Sequence, residues 1–270
     1  MALIHCNFFS EVLKVQTSMD VILPQGAMSQ IGMESNVFEK LHPTLYLLHG
    51  LSDDHTIWQR RTSIERYVAE AGIAVVMPNA GRSFYCDMDK GYKYWTFISE
   101  EVPKIAREFF HLSAKREDNF VAGVSMGGYG AMKLGLTYPE RYAAVGSFSG
   151  VLDINRLSVL KDYDDFKDLN LVFNYEKKVV DDKDDIFLMT KKFAEFKGEK
   201  PLFCQYDGTE DFLFVEGVKY DLHEDNLKYK KHCEDLGLDF IYEEGPGAHN
   251  WAYWDKMIPN FIEKLPLKRD

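Results

Sequence analysis

Asn119-Phe120-Val121-Ala122-Gly123-Val124-Ser125-Met126-Gly127-Gly128-Tyr129-Gly130 is the stretch on which the reading of this chain turns. Phe120 to Val124 is a short apolar run of the kind a buried strand needs. Gly130-Ala131-Met132-Lys133-Leu134 reads as the opening of a helix. Between them, Gly123-x-Ser125-x-Gly127 matches the G-x-S-x-G nucleophile elbow, a strained strand-to-helix turn that lifts a serine hydroxyl clear of a sheet. Glycines two residues either side leave room for neighbouring backbone. The rival reading is a glycine-rich turn of a nucleotide-binding unit. Against it, the chain has neither G-x-G-x-x-G nor G-K-[ST].

Outward from the elbow, short apolar runs alternate with helical spacings. Residues 3–23 fit two antiparallel strands joined near Gln16-Thr17, and 25–42 reads as a loop. Thr44 to Leu48 and Ile73 to Met77 read as buried strands separated by a helix over Ile57 to Ala71. Trp95 to Phe110 reads as an amphipathic helix, with Pro103 marking a kink or restart. Strands follow at Tyr142–Gly150, Pro201–Tyr206 and Asp239–Glu244, with helices over Val215–Leu236 and Trp251–Lys264. Strands alternating with helices predict an α/β fold: a mostly parallel, doubly wound sheet with helices on both faces and an antiparallel hairpin at one edge. Residues 151–200 break the rhythm. They are rich in Asp and Lys and read as a cap-like insertion within a single domain spanning 1–270.

The bulk properties narrow the function classes. A chain of 270 residues can bury a full sheet with helices on both faces. The formal net charge of −11 argues against nucleic-acid and anionic-membrane partners. The N-terminus lacks a basic region followed by a long apolar one, and no apolar run approaches a membrane span. Cys6, Cys86, Cys204 and Cys233 have no metal spacing and read as free thiols, so the expected location is the cytoplasm.

A serine hydroxyl needs a base within hydrogen-bond reach, and that base needs an orienting carboxylate. On an elbow-bearing sheet these partners follow in chain order Ser, Asp or Glu, His, each on a loop after a strand. Asp207, Glu210 and Asp211 compete for the acid role after the 201–206 strand. Asp211 is preferred, because Asp207 stands at the strand end before a glycine turn, where a side chain more often fixes the loop. His249, in a loop of Gly245, Pro246 and Gly247, is the expected base. His5, His42, His49, His55, His111, His223 and His232 lie elsewhere or lack metal-ligand spacing. The oxyanion of acyl transfer needs preorganised donors. The Met126 N–H, next to the nucleophile, and the Leu51 N–H, after the 44–48 strand, are the candidates. Trp58, Tyr85, Tyr92, Tyr94 and Trp95 are candidates to wall the pocket, with core packing as the competing reading for each. No metal or organic cofactor is called for.

Five stretches together carry a family resemblance: Tyr46-Leu47-Leu48-His49-Gly50-Leu51, Met77-Pro78-Asn79-Ala80-Gly81-Arg82-Ser83-Phe84-Tyr85, the elbow, Gly208-Thr209-Glu210-Asp211-Phe212-Leu213 and Gly247-Ala248-His249-Asn250-Trp251. The chain resembles the esterase D family of α/β-hydrolases, and its motifs look most like the bacterial tributyrin esterase type. The resemblance implies an α/β-hydrolase fold, a triad of Ser125, Asp211 and His249, and an oxyanion hole at Leu51 and Met126. It also implies a dimer or tetramer acting on small esters. The expected activity is a serine carboxylesterase on acetyl to butyryl esters. S-formylglutathione hydrolase and feruloyl esterase are the alternatives, and a binding protein retaining the fold is the non-enzymatic one. His49-Gly50-Leu51-Ser52-Asp53 and Gly123-Val124-Ser125 depart from the S-G-L-T-C and G-H-S of the formylglutathione type.

Overall fold

Alternation along Thr44–Leu48 shows why two helical layers form. All five residues are buried, with Tyr46 and Leu48 in one hydrophobic cluster and Leu45 and Leu47 in the other. A strand with two apolar faces must be covered twice. The computed structural model describes residues 1–27, 29, 31–32, 36–37, 41–175 and 180–267. Eight of the 18 residues of the expected loop over 25–42 thus lie outside the described residues.

The strands are β1 (Ala2–Ser10), β2 (Val15–Leu23), β3 (Thr44–Leu48), β4 (Ala74–Pro78), β5 (Asn119–Val124), β6 (Ala144–Phe148), β7 (Leu202–Glu210), β8 (Phe212–Val215), β9 (Val218–Asp221) and β10 (Ile241–Ala248). Among the described residues, eight form one sheet in the order β1-β2-β4-β3-β5-β6-β7-β10. β2 pairs antiparallel with both neighbours, and the remaining pairings are parallel. One face carries the helices Val102–Phe109, Met126–Thr137, Ile186–Ala194 and Leu222–Asp235. The other carries Ile57–Arg61, Ile64–Ala71 and Trp251–Glu263.

Two elements differ from the sequence reading, and one between them follows it. The first hairpin turns at residues 11–14, not at Gln16-Thr17, which are already paired in β2. Lys14 takes a positive φ of 59° there, and the buried Glu101 carboxylate accepts the N–H groups of Glu11 and Val12. Pro103 marks the expected restart: a π-helical turn over Phe97–Glu101 passes into the α-helix Val102–Phe109, and Pro103 sits in the first turn of that helix. The expected helix from Val215 starts only at Leu222. Glu216 and Gly217 both have positive φ, and they turn Phe212–Val215 back as a tight hairpin. Asp221 then caps the helix by accepting the Glu224 N–H.

The connection from β6 to β7 holds short helices at Ile154–Leu157 and Leu169–Phe173 before Ile186–Ala194. Ile154, Leu157, Leu160, Leu169 and Phe173 are buried and extend the cluster around helix Met126–Thr137. Val159, Leu171 and Leu188 face outward. The Arg82 guanidinium, from the loop after β4, ties this connection down by bonding the Asp168 carboxylate and the Asp165 carbonyl.

Candidate active site

The C-terminal ends of β3, β5, β7 and β10 deliver one residue set to a single edge of the sheet, the edge where open α/β sheets place ligands. Ser125 follows β5 directly. Its φ of 57° and ψ of −117° lie in a region that side chains rarely occupy, a strain of order 1–3 kcal/mol that must be held by its surroundings. They do hold it. The Ser125 N–H donates to the Phe148 carbonyl at 2.9 Å, and its own carbonyl accepts from Tyr129 at 3.1 Å and Val151 at 3.2 Å. The glycines are there for space: a Cβ on Gly123 would strike the Gly127 carbonyl, and one on Gly127 would stand 2.5 Å from the Leu48 carbonyl oxygen.

His249 Nε2 lies 3.0 Å from Ser125 Oγ, and His249 Nδ1 lies 2.8 Å from Asp211 Oδ1. The imidazole edge packs against Trp254, with centroids 5.0 Å apart and planes at 88°. The Trp254 indole N–H is anchored on Ser149 Oγ at 2.9 Å. Asp211 is fully buried and sits where the chain closes a loop on itself. Its carbonyl accepts the N–H groups of Leu222 and His223 at 3.1 and 3.0 Å. Of the three competing carboxylates, Asp211 alone meets His249. Glu210 is exposed, and Asp207 is buried against His223, at 2.5 Å from its Nδ1.

The loop after β3 runs beside the serine. A Cβ on Gly50 would stand 3.7 Å from Ser125 Cβ. Among the described residues, neither the Leu51 nor the Met126 N–H has an acceptor in the protein. His49 pins this loop. Its Nε2 accepts the Ala80 N–H at 2.9 Å, which leaves the proton on Nδ1 to be donated to the Gly50 carbonyl at 2.7 Å. Burial pushes the His49 pKa down to about 4, so this ring is a neutral strut. The Tyr85 hydroxyl donates to the His49 carbonyl at 2.9 Å.

A cavity of about 520 Å³ opens above Ser125, between the β3 loop, Arg82 and Phe84, the β6–β7 connection and the His249 loop. The expected pocket residues Trp58, Tyr94 and Trp95 do not line it. Trp58 is buried one layer below, donating to the Leu48 carbonyl at 2.9 Å and packing edge-on against Trp251. Trp95 stacks on Tyr138, and Tyr94 packs on Tyr92 and Phe97. Tyr85 is buried in the core, and Tyr92 is exposed.

The Esterase family model matches residues 35–265. The chain belongs to the Esterase family. This esterase is 30% identical over 279 residues to the acetyl esterase of Caldicellulosiruptor saccharolyticus, with both chains covered in full. Its structure superposes on a fluorophosphonate-binding serine hydrolase of Staphylococcus aureus with a TM-score of 0.85, at 34% identity and 99% coverage of each chain. The S-formylglutathione hydrolase of the same organism gives a TM-score of 0.83 at 33% identity, covering 98% of this chain and 99% of that one. The fold of the esterase is the α/β-hydrolase fold, and its class is that of carboxylic ester hydrolases.

Several cavity residues of the esterase went unrecognised in the sequence: Phe84, Val151, Leu157, Phe166, Leu213 and Trp254. Phe84 had a signal, since Gly81-Arg82-Ser83-Phe84 follows a strand end on the same edge as Leu51. Leu213 closes the motif stretch Gly208–Leu213, whereas Val151, Leu157 and Phe166 arrive on the β6–β7 connection and Trp254 on the closing helix, without a motif. Among the described residues, no helix is long and apolar enough to cross a membrane.

Proposed function

We propose that this esterase hydrolyses short-chain acyl esters, acetyl to butyryl, through an acyl-enzyme on Ser125. The observation that carries this reading is the unbroken line Ser125–His249–Asp211, at 3.0 and 2.8 Å, beside two unclaimed amides. His249 Nε2 takes the Ser125 proton as Oγ attacks the ester carbonyl, then passes it to the departing alcohol. Water enters by the same exchange in reverse and releases the acid. Asp211 keeps the Nδ1 proton in place and stabilises the imidazolium. The Leu51 and Met126 N–H groups receive the developing oxyanion; one such donor is typically worth about 3–4 kcal/mol of barrier. No step of this scheme requires a metal or an organic cofactor.

The chain-length reading rests on the β6–β7 connection, which we take to act as a cap within one domain. It contributes Val151, Leu157 and Phe166 to the cavity wall opposite Phe84 and Leu213. A wall tied to Arg82 must be overpacked to admit more methylenes, at about 1–3 kcal/mol or more. The test is kcat/KM for p-nitrophenyl esters from acetate to palmitate. The expected optimum falls at acetate to butyrate, with a drop of tenfold or more by octanoate. An optimum at octanoate or longer would overturn the reading. The 33% identity to an S-formylglutathione hydrolase favours a second reading, a glutathione thioester as substrate. It requires kcat/KM for S-formylglutathione to exceed that for the best oxygen ester.

A further inference from the structure

The proposed chemistry leaves a second buried carboxyl group unused. Asp207, four residues before Asp211, is as completely buried as Asp211 itself. Its Oδ2 lies 2.5 Å from His223 Nδ1, and its main-chain carbonyl accepts the Tyr253 hydroxyl at 2.6 Å. A tight turn, in which the Asp211 N–H donates to the Gly208 carbonyl at 3.1 Å, brings the two carboxyl groups close enough for the Asp211 charge to push the Asp207 pKa up. Yet Asp207 Oδ1 and Asp211 Oδ2 are both buried without a donor among the described residues. Two ionised carboxylates cannot satisfy one another, because each only accepts. A single proton between them resolves both vacancies and removes one of two buried like charges.

The surroundings agree. Asp207 is faced by Asp211 from the loop after β7, by Asp221 and His223 at the start of helix Leu222–Asp235, by Tyr242 and Glu244 of β10, and by Tyr253 of the closing helix. Of these, only His223 can carry positive charge, and its Nε2 also faces Glu244 Oε2 at 3.8 Å. Burial first, and the Asp211 charge second, push the Asp207 carboxyl well above its ordinary 3.8.

We propose that Asp207 is a positioning residue: its protonated carboxyl donates from Oδ1 to Asp211 Oδ2, while His223 holds Oδ2. This rests on the reading of Ser125, His249 and Asp211 given above. The pair then carries one negative charge. The donated bond fixes the plane of the Asp211 carboxylate, so that Oδ1 points at His249. It also draws charge from Asp211 and limits how tightly the imidazolium formed during turnover is held.

Asp207→Asn tests this directly, because its amide can donate to Asp211 and accept from His223 just as the protonated acid does. We expect D207N to keep kcat/KM within about threefold of wild type, with an unmoved acid limb of the pH profile. Asp207→Ala removes the donor; we expect about tenfold or more lost in kcat, the scale seen when an outer partner of an oriented side chain is removed. Its acid limb should move to higher pH by roughly half a unit or more, since Asp211 then holds a full charge against His249. An acid limb in D207N displaced to lower pH by about a unit would mean that Asp207 is ionised, and would overturn the proposal. Infrared difference spectra of wild type against D207N at pH 7 supply a readout independent of turnover and of whether D207A folds. A carbonyl stretch of a protonated carboxylic acid, lost in D207N, is expected. Its absence overturns the shared proton even if the serine chemistry stands, and its presence in an enzyme that needs no Ser125 would leave the shared proton standing and sink the functional reading instead.

Discussion

The turn after β5 and the loop after β7 both deliver a side chain of the candidate site to the same edge of the sheet, but they hold it by different means. At the elbow the work is done by backbone. Ser125 is gripped through its own N–H and carbonyl, and Gly123 and Gly127 clear the space in which that grip forms. At the β7 loop the work is done by charge. Asp211 is placed among Asp207, His223 and His249, and the outcome depends on where protons reside. Backbone devices tolerate almost no substitution and announce themselves as glycines. Charge devices tolerate isosteres, shift with pH, and are spelled in residues that look interchangeable.

The largest effects are expected at Ser125 and Asp211. Ser125→Ala should lose on the order of 10³-fold or more in kcat while the melting temperature stays level or rises, since alanine lacks the nucleophile and leaves the hydrogen bonds of the backbone in place. Near-normal turnover, or fluorophosphonate labelling at a different serine, would remove Ser125 from the reaction. Across the sheet edge, Asp211→Asn should also cost orders of magnitude in kcat by favouring the wrong imidazole tautomer. Glu210→Gln, one residue earlier and exposed, should change kcat less than about threefold. Equal losses in the two variants would erase the distinction drawn between these carboxylates.

A smaller effect separates backbone from charge through stability. Gly127→Ala should cost about 3 kcal/mol or more, because its Cβ meets two carbonyl oxygens of rigid backbone, those of Leu48 and His49 at 2.5 and 2.7 Å. Urea denaturation checks this, and a loss under 1 kcal/mol would show that the turn can relax. The smallest effect is a slope with pH. In the unfolded chain the Asp207 carboxyl ionises near 3.8, whereas the folded protein holds its proton to higher pH. The stability this contributes is complete below 3.8 and is lost as pH rises toward the folded value. Asp207→Asn has no such group, so its melting temperature relative to wild type should improve between pH 5 and pH 8, by about 4 °C or more. A difference that stays constant over that interval would mean that Asp207 is ionised throughout.

The same contrast accounts for what the sequence could disclose. The elbow was readable because G-x-S-x-G is a steric requirement with fixed spacing, and the parallel strands were readable because burial on both faces leaves apolar runs. That Asp211 and His249 would meet beside Ser125 was readable from their chain order and strand-end positions, which are topological. The pocket aromatics misled because Trp58, Tyr94 and Trp95 lie near the right strands in sequence, while their rings pack against Trp251, Phe97 and Tyr138. Chain position gives the neighbourhood of a ring and not the side toward which it turns. The β8–β9 hairpin was hidden by a different cause. Val215 to Leu236 contains enough helix-forming residues to mask a two-residue turn, and Glu216 gives no warning of its positive φ. The Asp207–His223 contact joins a residue within β7 to a helix start 16 residues later, with no motif at either end.

That hairpin has a consequence for how the molecule could be remodelled. The chain leaves Asp211 at Phe212 and comes back to it ten residues later: Phe212 is paired with Asp221, and the Asp211 carbonyl receives the amides of Leu222 and His223. Everything between is a closed excursion whose base is tied at both sides. Leu213 from this excursion reaches the cavity wall, while Phe214 stands 70% exposed beside the tip. Extra residues inserted at Glu216-Gly217 would therefore lengthen an overhang beside the cavity without pulling on Asp211, at a closure cost of only about 0.6 kcal/mol per doubling of length. Val215 and Tyr220 root the hairpin in the core, so its tip is where length can change while the Ser125–His249–Asp211 geometry stays fixed.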